Sequence, residues 1–171
     1  LNIICFNSEQ LTGNGLVLPS GPLRENLSSI KNAHIIVING SRRTNFENKL
    51  LEINKNLEIF YSFYKPINLE KFKNKKLLAI AGIGNPDNFF KLLEKNNLEI
   101  EKKIVFPDHY KFSESEILSI VSEAKKNNYH IIMTEKDYCK VSHFKIKNID
   151  CLKVSLIINN VDKLISRLSK I

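Results

Sequence analysis

Short apolar runs alternate along this chain with segments whose apolar residues recur at helical spacing. The predicted strands are Leu1–Phe6, His34–Asn39, Leu57–Tyr64, Leu77–Ile83, a strand ending in Ile104–Phe106, His130–Thr134 and Leu152–Ile158. Leu77–Ile83 is apolar throughout, as expected of a strand that is buried on both faces of a parallel sheet. The alternation therefore predicts an α/β protein with a mainly parallel sheet flanked by helices.

The helical segments between these strands begin at recognisable signals. Asn85 can cap a helix with Pro86 in its first position, and Ser113 with Glu116 forms a capping box. The remaining predicted helices are Pro22–Asn32, Asn45–Asn54 and a closing helix over Val161–Leu168. A rise in polarity near residues 64–76 predicts a division of the chain into residues 1–65 and 66–171.

Composition narrows the range of partners. The 171 residues carry a net charge of +8, which favours phosphate groups or an anionic membrane surface. The lysines are scattered among acids without an aromatic-interleaved basic block, so a nucleic-acid partner is not predicted. Cys5, Cys139 and Cys151 form no Cys-x-x-Cys pair, so neither a disulfide framework nor a metal site is expected. Leu77–Ile83 is too short to span a bilayer, so membrane contact is expected to be peripheral.

The loop over residues 13–25, GNGLVLPSGPLRE, is the first segment that could form a ligand-binding site. Gly13, Gly15 and Gly21 permit positive φ or the close approach of a ligand. Arg24 and Glu25 are predicted in the first turn of the next helix, where the planar arginine fork suits phosphate or carboxylate. The alternative is a structural loop with a surface Arg–Glu pair.

A second loop, GIGNP, follows the Leu77–Ile83 run. Gly82 and Gly84 have the spacing of a dinucleotide-binding turn, but Asp87 stands where that motif requires glycine. A Rossmann site is therefore not predicted. The helix start could still attract an anion, and a plain strand-to-helix turn is the alternative.

Two further loops, FPDHY and TEKD, also follow predicted strands, where parallel sheets bind their ligands. His109 can transfer protons, but adjacent residues rarely bond each other, so a partner other than Asp108 is expected. Lys136 or Lys140 could face a phosphate with Asp137 orienting it. The alternatives are a loop histidine and an ordinary capped helix start.

The order of these four motifs is more specific than any one of them. The series GNG-LVLPSGPLRE, AIAGIGNPDNFF, FPDHY and TEKDYCK resembles the carboxyl-terminal half of the tetraacyldisaccharide 4′-kinase family, the lipid A 4′-kinases of Gram-negative bacteria. The resemblance covers essentially the whole chain. It implies the carboxyl-terminal part of a P-loop-type kinase fold. The implied reaction moves the γ-phosphoryl group of MgATP to the 4′-hydroxyl of a tetraacyldisaccharide 1-phosphate, at the cytoplasmic face of the inner membrane.

The resemblance also implies roles for individual residues. Arg24 and Glu25 resemble the segment that binds the substrate headgroup, with Asn14 and Gly15 nearby. His109 resembles a histidine that pairs with an aspartate acting as base on the sugar hydroxyl. Residues expected to support phosphate or the active site are Gly82, Gly84, Asp108, Lys136 and Asp137. Residues 1–65 would then be the remainder of the kinase core and residues 66–171 a carboxyl-terminal subdomain.

No Gly-x-x-x-x-Gly-Lys-Ser/Thr motif occurs in these 171 residues. The family's phosphate-binding loop and its catalytic aspartate belong to its amino-terminal half, so ATP and Mg²⁺ are expected to be held mainly outside this chain. The chain alone is therefore expected not to turn over ATP. The competing hypothesis is a non-enzymatic α/β module that binds acidic lipid or phosphate; RNA binding is disfavoured because no aromatic platform motif is present.

Overall fold

The structure is a computed structural model that describes residues 1–169. The strands are β1 (Ile3–Asn7), β2 (Ile35–Asn39), β3 (Glu58–Pro66), β4 (Leu77–Ala81), β5 (Ile100–Val105), β6 (His130–Thr134), β7 (Ile149–Leu152) and β8 (Val154–Ile158). The α-helices are α1 (Thr44–Ile53), α2 (Pro86–Lys95), α3 (Glu114–Lys126), α4 (Glu135–Val141) and α5 (Val161–Leu168). Short 3₁₀ turns cover Leu27–Asn32, Leu69–Lys71 and Ser142–Phe144.

The strands form two four-stranded sheets, ordered β1-β2-β3-β8 and β5-β4-β6-β7. The pairs β1–β2, β2–β3, β4–β5, β4–β6 and β6–β7 are all parallel. The predicted α/β class with mainly parallel pairing is confirmed, with two sheets in place of the single sheet that was expected.

The chain divides into two compact units. The first contains residues 1–65 together with the described residues from 156 onward, and the second contains Pro66–Ser155. The sequence placed residues 156–171 with the second part, whereas the structure groups their described portion with the first. The functional division between residues 1–65 and 66–171 stays a prediction.

In the second unit, β4 is fully buried and its side chains alternate between two apolar layers. Leu78 and Ile80 join a cluster that includes Ile117 of α3, while Leu77 packs in a second cluster with Phe89 of α2. Burial on both faces explains why this strand reads as a continuous apolar run. The sheet is thereby fixed between two helical layers, and its carboxyl edge carries the loops that were singled out from the sequence.

The predicted helix starts of this unit are present. The Asn85 side chain accepts a hydrogen bond from the Asn88 amide at 3.4 Å, and Pro86 occupies the first position of α2. Ser113 Oγ accepts a hydrogen bond from the Glu116 amide at 3.3 Å. In return, Glu116 Oε2 accepts one from the Ser113 amide at 2.9 Å, which completes the capping box. Thr134 caps α4 in the same manner, with its hydroxyl accepting an amide at 3.1 Å.

A polar cluster fixes the start of α1 in the first unit. The buried Glu47 carboxylate accepts two hydrogen bonds from the Arg42 guanidinium, at 3.0 and 3.1 Å, and a third from the Tyr61 hydroxyl at 2.6 Å. The bond from Arg42 is the main reason why the pKa of Glu47 is lowered, with burial acting in the opposite direction. Burial and the bond to Glu47 raise the pKa of Tyr61.

The predicted helix over Pro22–Asn32 is wrong for its first half. Only the 3₁₀ turn Leu27–Asn32 forms, because the backbone of Leu23 is committed to the preceding loop. The Leu23 amide donates to the Leu16 carbonyl at 3.2 Å, and the Leu18 amide donates to the Leu23 carbonyl at 2.8 Å. These bonds hold the chain extended where the sequence pattern favoured a helical turn.

The predicted single strand Leu152–Ile158 is two strands in different sheets, β7 and β8, which separate at Lys153. The side chain of Asn68 fixes this break. Its oxygen accepts the Lys153 amide at 2.9 Å, and its amide donates to the Cys151 carbonyl at 3.0 Å. The break therefore depends on a residue more than 80 positions away, which a local pattern does not reveal.

Candidate active site

Three of the loops meet at the carboxyl edge of the sheet in the second unit. The GIGNP loop follows β4, the PDHY loop follows β5 and the TEKD segment follows β6, and β4 lies between the other two strands. The Gly82 amide donates to Asp137 Oδ2 at 2.8 Å, and Lys136 Nζ lies 3.1 Å from Asp108 Oδ1. The sheet thus brings together segments that are up to 55 residues apart in the chain.

Asp137 is the buried centre of this cluster, with 0% of its surface exposed. Its carboxylate accepts hydrogen bonds from the Gly82 amide at 2.8 Å, the Thr134 hydroxyl at 2.7 Å and Lys140 Nζ at 2.8 Å. A buried carboxylate is tolerated only when such donors replace its lost water. Asp137 therefore ties the end of β4 to the start of α4.

Lys140 is the cation that balances Asp137. Its side chain is 24% exposed, and its ammonium group also lies 3.4 Å from the Gly82 carbonyl oxygen. The Phe112 ring lies beneath it, with 5.7 Å between Nζ and the ring centre. These contacts use two of the three N–H donors of the lysine.

Asp108 and Lys136 form a second, more exposed pair in the same region. The hydrogen bond from Lys136 is the main reason why the pKa of Asp108 is lowered. The His109 amide also donates to Asp108 Oδ1, at 2.9 Å. A methyl group on Gly84 would lie 3.3 Å from Asp108 Oδ2, so glycine allows the two loops to approach closely.

His109 projects outward from this loop. Its backbone is left-handed, with φ of +60°, a conformation that costs a non-glycine residue about 1 kcal/mol. Its side chain is 80% exposed, and Nε2 lies 3.7 Å from Asp108 Oδ2, which is longer than a hydrogen bond. The imidazole is therefore not held by its neighbour, as expected from the sequence, and it is accessible to a partner from elsewhere.

Three aromatic rings anchor the loop that carries Asp108 and His109. Phe106, Tyr110 and Phe112 have ring centres 4.7 to 5.3 Å apart. The Tyr110 hydroxyl donates to Glu116 Oε1 at 2.5 Å, which lowers the pKa of Glu116 and raises that of Tyr110. Sequence reasoning missed this anchor, although three aromatics within seven residues were the available signal.

The residues predicted to bind the substrate lie in the first unit, in the loop over residues 13–25. The Asn14 side chain spans its own loop, donating to a carbonyl at 2.8 Å and accepting an amide two residues ahead at 3.1 Å. Gly15 has φ of +79° and open space around it. Arg24 and Glu25 are exposed, and neither side chain bonds another residue in the range 1–169. Their predicted place in a first helical turn is wrong, since residues 22–26 are not helical.

Among residues 1–169, no group of three or more histidine, cysteine, aspartate or glutamate side chains is placed to hold a metal ion. None of the helices in this range has the length and apolarity needed to cross a bilayer. His130 Nε2 lies 2.8 Å from Asp150 Oδ2, at the opposite, amino edge of the sheet.

A sequence model of the LpxK family, described as tetraacyldisaccharide-1-P 4′-kinase, matches residues 1–171. The chain belongs to the LpxK family. The resemblance drawn from the four ordered motifs is thereby confirmed.

Curated relatives agree with the family match. The chain is 38% identical over 174 residues to the tetraacyldisaccharide 4′-kinase of Pelagibacter ubique, covering 100% of this chain and 55% of the relative. It is 37% identical over 172 residues to that of Rickettsia typhi, covering 98% of this chain and 51% of the relative. The chain thus spans about half the length of the curated relatives it matches.

A solved structure shares the fold. It is described as the "apo" form of LpxK from Aquifex aeolicus in complex with ATP, and it is 22% identical with a TM-score of 0.66. The match covers 99% of this chain and 52% of the solved chain. The α/β arrangement described above is therefore that of an LpxK structure.

Proposed function

We propose that this chain carries the acceptor-binding part of a tetraacyldisaccharide 4′-kinase. The observation that carries the proposal is the match of the LpxK family along all 171 residues. The clustering of the GIGNP, PDHY and TEKD loops at one sheet edge supports it, because ligands of parallel sheets bind at that edge.

In the proposed reaction, the 4′-hydroxyl oxygen of the acylated disaccharide 1-phosphate attacks the γ-phosphorus of ATP. A new O–P bond forms, the bond from the γ-phosphorus to the β–γ bridging oxygen breaks, ADP leaves, and the hydroxyl proton passes to a base. Such phosphoryl transfers depend on positioning and charge neutralisation. Mg²⁺ bound with ATP would neutralise phosphate charge. Both are proposed to be held mainly by residues outside this chain, because these 171 residues contain no Gly-x-x-x-x-Gly-Lys-Ser/Thr motif to bind the nucleotide phosphates.

His109 is the residue of this chain that we assign to the acceptor hydroxyl. By resemblance to the family, it pairs with an aspartate that acts as base. Two observations support the assignment: its ring is 80% exposed, and it lies beyond hydrogen-bond distance of Asp108. Its accessible nitrogen can then orient that aspartate.

The remaining site residues are proposed to bind the sugar headgroup or to shape the region around the phosphate. Arg24 and Glu25 would meet the sugar headgroup and its 1-phosphate, from a loop shaped by Asn14 and Gly15. The open side chains of Arg24 and Glu25 support this role, since neither is committed to another residue in the range 1–169. Support around phosphate is proposed for Gly82, Gly84, Asp108, Lys136 and Asp137.

The proposed setting is the cytoplasmic face of the inner membrane of a Gram-negative bacterium, with peripheral attachment. The lipid nature of the family's substrate and the net charge of +8 support an anionic membrane surface as partner.

Product formation tests the proposal. The purified chain is incubated with MgATP and tetraacyldisaccharide 1-phosphate, alone and together with the segment of the Pelagibacter relative that it does not match. We expect a 4′-phosphorylated product, identified by mass spectrometry, only in the supplemented reaction. Absence of product from both reactions would overturn the kinase proposal. Product from the chain alone would overturn the assignment of the ATP site to residues outside it.

A further inference from the structure

His109 is presented by a short turn whose backbone takes an uncommon shape. The Tyr110 amide donates to the Pro107 carbonyl at 3.2 Å, and the His109 amide donates to Asp108 Oδ1 at 2.9 Å. His109 itself is left-handed, with φ of +60°, which is uncommon for a residue other than glycine. Such a conformation persists only where the surrounding structure enforces it. The direction of the imidazole therefore depends on what holds the two flanks of this turn.

The amino-terminal flank of the turn is held near the protein surface. The Phe106 amide donates to the Ala81 carbonyl at 2.9 Å, which keeps the end of β5 against β4. Lys136 Nζ lies 3.1 Å from Asp108 Oδ1, but the two side chains are 47% and 42% exposed. Exposed ion pairs contribute little to stability, because water and salt screen them. The pair of Asp108 and Lys136 is thus a weak restraint on His109.

The carboxyl-terminal flank is held by the side chain of Tyr110. The Tyr110 hydroxyl donates to Glu116 Oε1 at 2.5 Å. The second carboxylate oxygen, Glu116 Oε2, accepts from the Ser113 hydroxyl at 2.7 Å and from the Ser113 amide at 2.9 Å. Because Ser113 and Glu116 form the capping box of α3, Tyr110 is bonded to an acceptor that the helix start already orients. Hydrogen bonds to an ionised acceptor are about twice as strong as those between neutral groups.

Two phenylalanine rings restrain the Tyr110 ring in addition to this bond. The ring centres of Phe106 and Phe112 lie 4.7 and 5.3 Å from that of Tyr110, and Phe112 is buried. Aromatic pairs at such separations stabilise each other beyond simple burial. The bond and the ring contacts all join residues 106–116 of this chain. They are therefore complete without the part of the relatives that the chain does not match.

We propose that Tyr110, fixed by Glu116, is a positioning residue for His109. The inference rests on the proposed function, because it takes His109 as the residue that acts at the acceptor hydroxyl. An imidazole that orients a reacting group works only over a narrow range of positions, since a displacement of about 1 Å can cost roughly 100-fold in rate. Tyr110 narrows that range by holding the residue next to His109.

The order of the His109 backbone is the first measurement, and it needs neither ATP nor acceptor. In the purified 171-residue chain, the ¹⁵N order parameter of the His109 amide should be about 0.85, and it should fall below about 0.6 in Tyr110→Phe. Tyr129→Phe is the matched control. It removes the hydroxyl of another half-buried tyrosine that packs in the same apolar cluster, beside the amino end of β6. We expect the order parameter of His109 to keep its native value in this control.

Ile131→Val separates positioning from general destabilisation. Ile131 is buried in the same cluster, and the loss of one methyl group there should lower the urea midpoint by about 0.5 M, as should the loss of the Tyr110 hydroxyl. Of these two equally destabilised variants, only Tyr110→Phe should loosen His109. Glu116→Gln keeps a hydrogen-bonding partner for Tyr110 and should retain most of the native order, whereas Glu116→Ala should lose it.

Turnover in the reaction supplemented with the unmatched segment of the Pelagibacter relative shows whether this order matters. Tyr110→Phe should lower kcat by about tenfold and change the KM for the acceptor by less than about twofold, since the restraint acts on the reacting group alone. In a His109→Ala background the same change should lower kcat no further, because no imidazole is left to position. Ile131→Val and Tyr129→Phe should keep the native kcat.

Three results would overturn the proposal. Native order of His109 in Tyr110→Phe would show that the bond to Glu116 does not hold the turn. Equal loosening in Ile131→Val would make Tyr110 a general stabilising residue. Native kcat in Tyr110→Phe, or an equal fall with and without the His109 ring, would show that Tyr110 does not act through His109. If the native chain gives no product in the supplemented reaction, the kinase proposal fails, and the order parameter still decides whether Tyr110 holds His109.

Discussion

Replacement of Asp137 is the perturbation whose outcome the structure specifies best. Asp137→Ala removes a fully buried carboxylate that accepts from the Gly82 amide, the Thr134 hydroxyl and the Lys140 ammonium group. Asp137→Asn keeps the size of the side chain and one acceptor oxygen, but it removes the negative charge. The two variants therefore separate the hydrogen bonds from the ion pair.

The expected loss of stability follows from the fate of each donor. The Gly82 amide is buried and would lose its partner, which costs about 1–3 kcal/mol. Thr134 is half-buried and Lys140 is 24% exposed, so both groups can bond to water, and together they add about 1 kcal/mol. We therefore expect the free energy of unfolding to fall by about 3 kcal/mol in Asp137→Ala, and by roughly half as much in Asp137→Asn.

Urea unfolding followed by circular dichroism measures this loss. With a slope of about 2 kcal/mol per molar urea, the midpoint of Asp137→Ala should fall by ~1.5 M. Asp87→Ala is the matched control, because Asp87 also lies in a first helical turn but is exposed. Its change should stay within about 0.5 kcal/mol. Equal midpoints for the two alanine variants would refute the role given to Asp137.

Three further changes test local features. The pKa of Glu47 is lowered from its ordinary value of 4.5, so its stabilising effect is present above that pH and is lost as the pH falls through the lower folded value; Glu47→Gln should therefore flatten the acid side of the stability profile. Gly40 has φ of +118° and its added methyl would lie 2.0 Å from Ser8 Oγ, so Gly40→Ala should cost about 3 kcal/mol and lower the Tm by roughly 10 °C. Ser113→Ala removes the capping box of α3 and should cost about 1 kcal/mol in urea unfolding.

Matched controls exist for each of these changes. Glu52→Gln alters an exposed carboxylate on the same helix as Glu47 and should leave the acid limb unchanged. Gly15→Ala meets open space, so only its positive φ should matter, at about 1 kcal/mol. Ser122→Ala, on the exposed face of α3, should be neutral or slightly stabilising. If a control variant changes stability as much as its test variant does, the contact proposed for that test residue does not stabilise the fold.

The parts of this fold that were predictable are those encoded by neighbouring residues. Full burial of β4 could be predicted because every residue from Leu77 to Ala81 is apolar. The capping box at Ser113 and the cap at Thr134 could be predicted because a cap involves residues only three apart. The break at Lys153 could not, since it depends on the side chain of Asn68.

The same distinction holds for the candidate site. That the GIGNP, PDHY and TEKD loops lie on one edge follows from parallel strands, and it could be expected from the alternation of elements. The burial of Asp137 could not, because an acid in a first helical turn is ordinarily solvated. Only tertiary packing brings Gly82, 55 residues earlier, against its carboxylate.

The turnover number of His109→Ala tests the central claim most directly. It is measured with MgATP and tetraacyldisaccharide 1-phosphate, in the reaction supplemented with the unmatched segment of the Pelagibacter relative. His143→Ala, which removes another exposed histidine of the second unit, is the control. If His109 acts at the acceptor hydroxyl, kcat falls by roughly 100-fold or more for His109→Ala and stays near the native value for His143→Ala. Native turnover in His109→Ala would contradict the account.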